Sequence, residues 1–128
     1  MMKYLLDTHI VLWANLTPAK LSDTVKSIIL DPDAEKYVSI ISAWEVALKM
    51  GIGKLRLDEG LPEYYRMIDE NGFVQLGVER EYIDSLAGLP MIHRDPFDRM
   101  LLATALVENM TLVTIDDNIR KYDIPSVW

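Results

Sequence analysis

The chain contains 128 residues, half of them apolar, with a formal net charge of −7 and no cysteine. This length fits a single domain over residues 1–128, and the lack of cysteine excludes a disulfide framework, a zinc–thiolate site and a thiol nucleophile, which fits a cytoplasmic location. The negative charge argues against a surface that holds nucleic acid over its whole area, because such binding uses Lys and Arg to displace counterions, although a local basic surface stays compatible with a nucleic-acid substrate.

Apolar runs that predict strands alternate with amphipathic segments that predict helices in the first part of the chain. A first strand is expected at residues 3–6, and Asp7 ends its apolar run too early for a signal peptide or a membrane span. We therefore expect a soluble, unprocessed protein. The following elements are predicted as a helical turn at 8–15, a helix from about 21 to 30, a strand at 37–41 and a helix at 42–50.

The second part of the chain continues the alternation. The pattern predicts a helix at 62–71, a strand at 73–76, helices at 79–86 and 95–108, a strand at 111–115 and an edge strand at 126–128. Strands separated by helices indicate an α/β fold with a small, mostly parallel sheet between layers of helices. Ligands of such folds bind beyond the carboxyl ends of the strands.

Four acidic residues stand where a strand-like run ends or a helix begins, namely Asp7, Glu45, Asp98 and Asp116. In a parallel fold these places lie along one edge of the sheet, so we expect the carboxylates to lie close together. Two carboxylates 4 Å apart repel by about 1 kcal/mol in water and by roughly 4 kcal/mol at an effective dielectric constant of 20. A divalent cation relieves this repulsion, and the pattern therefore predicts a metal-dependent site.

Helix capping is an alternative explanation for each acid. Asp7 can cap the turn that begins at Thr8, residues 42–45 fit a capping box, and residues 95–98 fit a cap followed by an acid in the first turn. Asp116 or Asp117 can cap a short helix that extends toward Lys121. Against this, Asp98 shares a helix face with Leu101, Leu102 and Ala105, and Glu45 shares one with Leu48 and Ile52. A carboxylate on an apolar face needs a cation or several hydrogen bonds, which favours the metal site.

Four segments resemble the successive motifs of PIN-domain ribonucleases, and in particular the VapC-like toxins of toxin–antitoxin pairs. They are residues 5–9 (LLDTH), 42–49 (SAWEVALK), 93–99 (HRDPFDR) and 112–116 (LVTID). The resemblance implies a PIN-like three-layer sandwich and an endoribonuclease that depends on Mg²⁺ or Mn²⁺. It also implies an RNA substrate, an antitoxin partner and a homodimer.

The resemblance assigns roles to the four acids. Asp7 and Asp98 would be the principal metal ligands, and Asp116 would bind the metal directly or through water. Glu45 would complete the site or orient the attacking water. Asp117 adjoins Asp116 and is an alternative fourth acid.

Other residues near the motifs are each compatible with a functional role and with a structural one. His9 and His93 are alternative metal ligands, although hard cations prefer oxygen and such histidines more often pack or form hydrogen bonds. Hydroxyls of Thr8 and Thr114 are expected to support the acids, although a threonine in a strand or in the first turn of a helix is also ordinary. The basic residues suited to RNA phosphates, or else to surface ion pairs, are Lys49, Lys54, Arg56, Arg94 and Arg99. The residues suited to RNA stacking or a protein partner, or else to core packing, are Trp44, Tyr64, Tyr65 and Met67.

Two rival functions are also considered. An aspartate-based phosphatase would use Asp7 as a nucleophile, but His9 stands where that pattern has a second aspartate. A non-catalytic PIN-like binding module would usually have lost part of the acidic set, and here the set is complete.

Overall fold

The computed structural model describes residues 2–128, and within this range the chain forms five strands and seven α-helices. The strands are β1 (Lys3–Leu6), β2 (Glu35–Ser39), β3 (Val74–Leu76), β4 (Thr111–Val113) and β5 (Ser126–Val127). The helices are α1 (Thr8–Leu16), α2 (Asp23–Leu30), α3 (Ile40–Gly51), α4 (Leu61–Glu70), α5 (Arg80–Ala87), α6 (Pro96–Glu108) and α7 (Asp117–Arg120). A short 3₁₀ turn at Pro18–Lys20 precedes α2.

The strands form one sheet in the order β3-β2-β1-β4-β5, and every neighbouring pair is parallel. Strand β1 is central, with Leu5 beside Tyr37 of β2 on one side and beside Leu112 of β4 on the other. The predicted α/β fold with a small parallel sheet is confirmed.

Helices cover both faces of the sheet because successive strand residues point to opposite sides. Leu6 and Val113 pack on one side against apolar residues of α1, α3 and α4, whereas Leu5 and Leu112 pack on the other against α6. Each strand therefore contributes to two separate cores. This is the three-layer arrangement that the sequence predicts.

The junction between β2 and α3 differs from the prediction. The strand ends at Ser39, whose hydroxyl accepts a hydrogen bond from the Ile41 amide, so that α3 begins at Ile40 rather than at Ser42. The expected capping box at residues 42–45 is therefore wrong. The β-branched pair at 40–41 favours a strand locally, but a serine with extended backbone caps a helix at this point.

The carboxyl end of β1 is the topological switch point of the sheet. The chain passes from β1 to its neighbour β2 and later returns to β4 on the opposite side of β1. Open α/β sheets bind ligands at such a crevice. Asp7 follows β1 directly, Thr114 follows β4, and α3 continues directly from β2, so residues from three elements meet here. No helix within residues 2–128 has the length and apolar character needed to cross a membrane.

Candidate metal-dependent active site

Asp7 lies at the end of β1 and is 4% exposed. Its backbone amide donates to the Val113 carbonyl at 3.0 Å, and its side-chain Oδ2 accepts a hydrogen bond of 2.8 Å from Thr114 Oγ1. Although Asp7 occupies the N-cap position of α1, its side chain makes no capping hydrogen bond. The capping alternative is therefore wrong for Asp7.

Glu45 lies in the second turn of α3 and is 6% exposed. Thr8 Oγ1 donates to its Oε1 at 2.6 Å, and Lys49 Nζ lies 2.8 Å from its Oε2. Thr8 Oγ1 is also 2.8 Å from Ser42 Oγ. Because Thr8 donates its single hydrogen to the carboxylate, Ser42 is the donor in this second hydrogen bond. Both oxygens of Glu45 are thus held by the protein.

The apolar face predicted for Glu45 is not the face that buries it. Leu48 and Ile52 are 46% and 66% exposed, so this part of the prediction is wrong. Glu45 is instead buried on the side of α3 that carries Ser42, where Thr8 contacts both residues; Ser42 and Thr8 are themselves buried.

Asp98 lies in the first turn of α6 and is 8% exposed. Its face of the helix carries the buried Leu101, Leu102 and Ala105, as the sequence predicts. The helix is capped by Asp95, whose Oδ1 accepts from the amides of Phe97 and Asp98. Since Asp95 provides the cap, the Asp98 side chain remains available for another role.

Asp116 lies at the N-cap of α7 and is half-buried. Its Oδ1 accepts from the Asn118 amide at 2.8 Å, so the capping prediction is correct for this one oxygen. Its own amide donates to Thr114 Oγ1 at 3.0 Å, which ties it to the threonine that bonds Asp7. Asp117 is exposed in the first turn of α7.

The acids influence one another electrostatically. Burial, together with the charges of Asp7, Asp95 and Asp116, raises the pKa of Asp98 to about 8. Burial also raises the pKa of Asp7, against the lowering effect of the Thr114 hydrogen bond. Asp116 is among the charges that raise the pKa of Asp98 most. Negative charge is therefore unfavourable here without a positive partner.

The donor chemistry of this edge fits a hard cation. The side chains offer carboxylate and hydroxyl oxygens, which Mg²⁺ and Mn²⁺ prefer, and a bound cation would offset the desolvation that raises the two pKa values. As placed in residues 2–128, no three Asp, Glu or His side chains already form a closed coordination group. A cation that keeps several waters needs only one or two direct carboxylate ligands.

The basic residues are placed in different surroundings. Lys49 pairs with Glu45, Lys54 and Arg94 are exposed, and Arg56 lies 3.5 Å from Asp58 in an exposed pair. Arg99 is buried, and its guanidinium donates to Tyr122 and to backbone carbonyls, including Pro90 O at 2.9 Å. This placement does not favour the prediction that Arg99 contacts RNA phosphates.

A groove of about 450 Å³ opens beside the acids, between α1 and α3. It is lined by residues that include Thr8, His9, Trp13, Lys49 and Lys54. The exposed His9 ring lies 5.6 Å from the Trp13 ring, centroid to centroid. Cationic and aromatic side chains therefore line the groove next to the acids.

The four aromatic and methionine residues of uncertain role divide into two groups. Tyr64 and Met67 are buried in the core, which is the packing alternative. Trp44 is 57% exposed, with its ring edge against Phe97, and Tyr65 is 39% exposed. Core packing thus explains only half of this set.

Two residues that sequence reasoning did not assign to the site belong to its surroundings. Ser42 was expected to cap a helix but bonds Thr8. Tyr122 hydrogen-bonds His93, which in turn contacts Asp98 Oδ2 through Nε2 at 3.3 Å. Tyr122 lies 29 residues from His93 in the chain, and no local pattern marks such a contact.

The profile of the PIN domain family matches residues 4–125. The chain belongs to the PIN-domain family. This PIN domain is 29% identical to ribonuclease VapC22 of Mycobacterium tuberculosis, with 97% of each chain covered. The resemblance to VapC-like PIN domains, expected from four short motifs, is confirmed.

Solved structures share the fold of this PIN domain. VapBC2 from Rickettsia felis, bound to a promoter DNA fragment, matches with a TM-score of 0.75 at 17% identity over 98% of each chain. A toxin–antitoxin complex from Klebsiella pneumoniae matches with a TM-score of 0.65 at 16% identity, covering 98% of this chain and 96% of that chain. At these identities the likeness concerns the fold alone.

Proposed function

We propose that this PIN domain, spanning residues 1–128 as a single domain, is a metal-dependent endoribonuclease and the toxin of a VapBC-type toxin–antitoxin pair. The observation that carries the proposal is the set of buried carboxylates at the switch point of the sheet, where the pKa values of Asp7 and Asp98 are raised. Perturbed acids gathered in a crevice are typical of functional sites. The ribonuclease relative VapC22, aligned over 97% of both chains, supplies the substrate class.

Asp7, Asp98 and Asp116 are the residues proposed to hold Mg²⁺ or Mn²⁺. Such an ion, when bound, lowers the pKa of water and stabilises negative charge on a phosphate. Asp116 offers its second oxygen, since Oδ1 caps α7, and Thr114 aligns Asp7 with Asp116 through its two hydrogen bonds. We favour Asp116 over Asp117 as the fourth acid because only Asp116 is tied to this network.

Glu45 is proposed to orient the attacking water. Thr8 and Lys49 hold its two oxygens, so the carboxylate presents a fixed surface to the crevice. Attack of water on the phosphorus forms one P–O bond and breaks the bond to the 3′ oxygen, which leaves with a proton. The products would carry a 5′ phosphate and a 3′ hydroxyl.

Basic residues around the crevice are proposed to contact the RNA backbone, namely the half-buried Lys49 and the exposed Lys54 and Arg94. Lys49 and Lys54 line the groove beside the acids, and Arg94 lies just before α6. Their positive charge offsets locally the net charge of −7. Phosphate contacts of this kind position the substrate without reading its sequence.

A homodimer and an antitoxin are proposed as protein partners. Trp44 and Leu48 on α3 are followed at the same spacing by Ile52, the C-cap of the helix, and the three are 57%, 46% and 66% exposed. An exposed apolar stripe on one helix is typical of an interaction surface, and we propose that a second copy of this chain covers it. The antitoxin follows from the toxin–antitoxin complexes that share the fold. We also propose a cytoplasmic location, which action on RNA beside an antitoxin supports.

The proposal is tested by incubating the purified protein with total RNA and mapping the cleaved ends. Cleavage is expected with Mg²⁺ or Mn²⁺ and should stop when EDTA is added. Asp98→Asn should abolish cleavage, whereas Asp69→Asn, which removes an exposed charge on α4, should cleave normally. Cleavage that persists in EDTA, or in the Asp98 variant, would refute the mechanism.

A further inference from the structure

A second hydrogen-bond network lies behind Asp98. The Tyr122 hydroxyl is at its centre, 2.9 Å from His93 Nδ1, and it accepts from Arg99 Nη1 at 3.0 Å. The backbone amide of His93 also donates to this hydroxyl, at 3.3 Å. On its other side, His93 Nε2 lies 3.3 Å from Asp98 Oδ2. A continuous path therefore runs from Arg99 to the acid.

The direction of each hydrogen bond follows from the groups involved. A guanidinium and a backbone amide can only donate, so the Tyr122 oxygen accepts two hydrogen bonds. Its own hydrogen is then directed at His93 Nδ1, which must accept. A neutral imidazole with an accepting Nδ1 carries its hydrogen on Nε2, the atom that faces Asp98.

The start of the path is held rigidly. Arg99 and Tyr122 are 8% and 4% exposed. Beyond Tyr122, the guanidinium bonds Pro90 O at 2.9 Å and the carbonyls of Leu86 and Leu89 at 3.5 Å, which fixes it against the segment between α5 and α6. The Tyr122 ring is part of the core on the α6 side of the sheet. The burial of Tyr122 therefore leaves its hydroxyl little contact with bulk solvent.

We propose that Arg99, Tyr122 and His93 are positioning residues that deliver an Nε2–H donor to one oxygen of Asp98 and so fix the orientation of this carboxylate. The inference rests on the proposed function, in which Asp98 is a metal ligand. With Oδ2 bound to His93, Asp98 would have Oδ1 available for a cation. His93 itself is not a ligand, because Nε2 carries a hydrogen and the Nδ1 lone pair is used by Tyr122.

Groups that orient a metal ligand typically contribute 10- to 100-fold to metal affinity. Tyr122→Phe keeps the ring and removes the hydroxyl that sets the tautomer. His93→Asn removes the donor to Asp98, since its amide reaches only the Nδ1 position. His93→Gln is the matched control, because its amide nitrogen reaches the Nε2 position and can still donate to Asp98.

The first measurement is the protonation pattern of the histidine ring by ¹H–¹⁵N NMR of the metal-free protein at a pH of about 9, where an ordinary imidazole is neutral. The chain has only two histidines, so the exposed His9 is the single signal to be distinguished. The wild type should show His93 with hydrogen on Nε2 alone, and Tyr122→Phe should show a mixture. Hydrogen on Nδ1 in the wild type would overturn the inference.

The second measurement is the affinity for Mn²⁺ alone, by calorimetry. Tyr122→Phe and His93→Asn should weaken binding by about 10-fold or more, and His93→Gln by less than about 3-fold. Thermal unfolding checks that each variant is folded. Unchanged affinity in Tyr122→Phe and His93→Asn, in a protein that still cleaves RNA, would overturn the inference and leave the proposed function intact. A wild type that neither binds Mn²⁺ nor cleaves RNA would overturn the proposed function and the metal role of the network. In that case the NMR pattern still shows whether the hydrogen bonds run from Tyr122 through His93 to Asp98.

Discussion

Replacing Asp98 by Asn should stabilise the metal-free protein while abolishing its activity. Asp98 is 8% exposed, and burial together with neighbouring acids raises its pKa from 3.8 to about 8. Asparagine has nearly the same shape and can still accept a hydrogen bond from His93, but it carries no charge. The substitution therefore removes an unfavourable charge without leaving a cavity.

The magnitude follows from the pKa. A difference of about four units corresponds to about 6 kcal/mol, since each unit is worth 1.36 kcal/mol. Solvent at the edge of the crevice screens part of this, so we expect roughly 2–3 kcal/mol. For a chain of 128 residues, one kcal/mol shifts Tm by about 4 °C, so Tm should rise by about 10 °C.

The gain should depend on pH. Because the pKa of Asp98 is raised on folding, the folded state retains a proton between pH 3.8 and about 8 that the unfolded state has released. The wild type therefore loses stability as the pH rises through this range. The variant does not share this loss, so its advantage should be near zero at pH 4 and complete near pH 8.

Thermal unfolding in EDTA at several pH values measures this difference, with Asp69→Asn as the control for the charge change at an exposed position. The control should stay within about 0.5 kcal/mol of the wild type. Added Mn²⁺ should then stabilise the wild type and the control but not Asp98→Asn. A variant that is less stable than the wild type in EDTA near pH 8, or that Mn²⁺ stabilises equally, would refute the reasoning.

Three further predictions concern other parts of the molecule. Thr8→Val should lower the free energy of unfolding by about 1–3 kcal/mol in urea and lower the cleavage rate, because it leaves Glu45 without its buried hydroxyl donor. Thr24→Val, at an exposed position on α2, should change neither. Leu48→Lys should convert a dimer to a monomer in light scattering, and a dimer that persists would exclude the stripe on α3 as its interface. Tyr64→Phe should leave stability unchanged or raise it by up to about 1 kcal/mol in urea unfolding, because its buried hydroxyl makes no well-formed hydrogen bond within residues 2–128. A clear loss of stability would show a partner such as Ser42 or a buried water.

The alternation of strands and helices was predictable because local patterns determine it. Short apolar runs indicated the strands, and amphipathic segments between them, with apolar residues every three to four positions, indicated the helices. The start of α3 was not predictable in this way. Ile40 and Ile41 favour a strand by propensity, but the cap provided by Ser39 places them in the helix.

The acids and the threonines that support them were predictable, whereas the contacts behind Asp98 were not. Asp7 and Asp98 could be found because each interrupts or begins an apolar pattern. The contact of Arg99 with Tyr122 joins residues 23 positions apart and follows from the packing of α6 beside the segment after α7. An arginine next to a motif acid is equally compatible with RNA binding and with a buried structural role, so burial decides between them.

The hydrogen bonds explain why the four motifs are informative together and not singly. Thr8 follows the acid of β1 but donates to Glu45 of α3, and Thr114 follows β4 but donates to Asp7 of β1. Three of the motifs, at residues 5–9, 42–49 and 112–116, thus supply an acid or a hydroxyl whose partner belongs to another of the three. None of these three completes its own contacts, and the buried charges are tolerated only after the sheet and α3 have assembled. A substitution in one of these motifs should therefore remove a hydrogen bond from the acid of another.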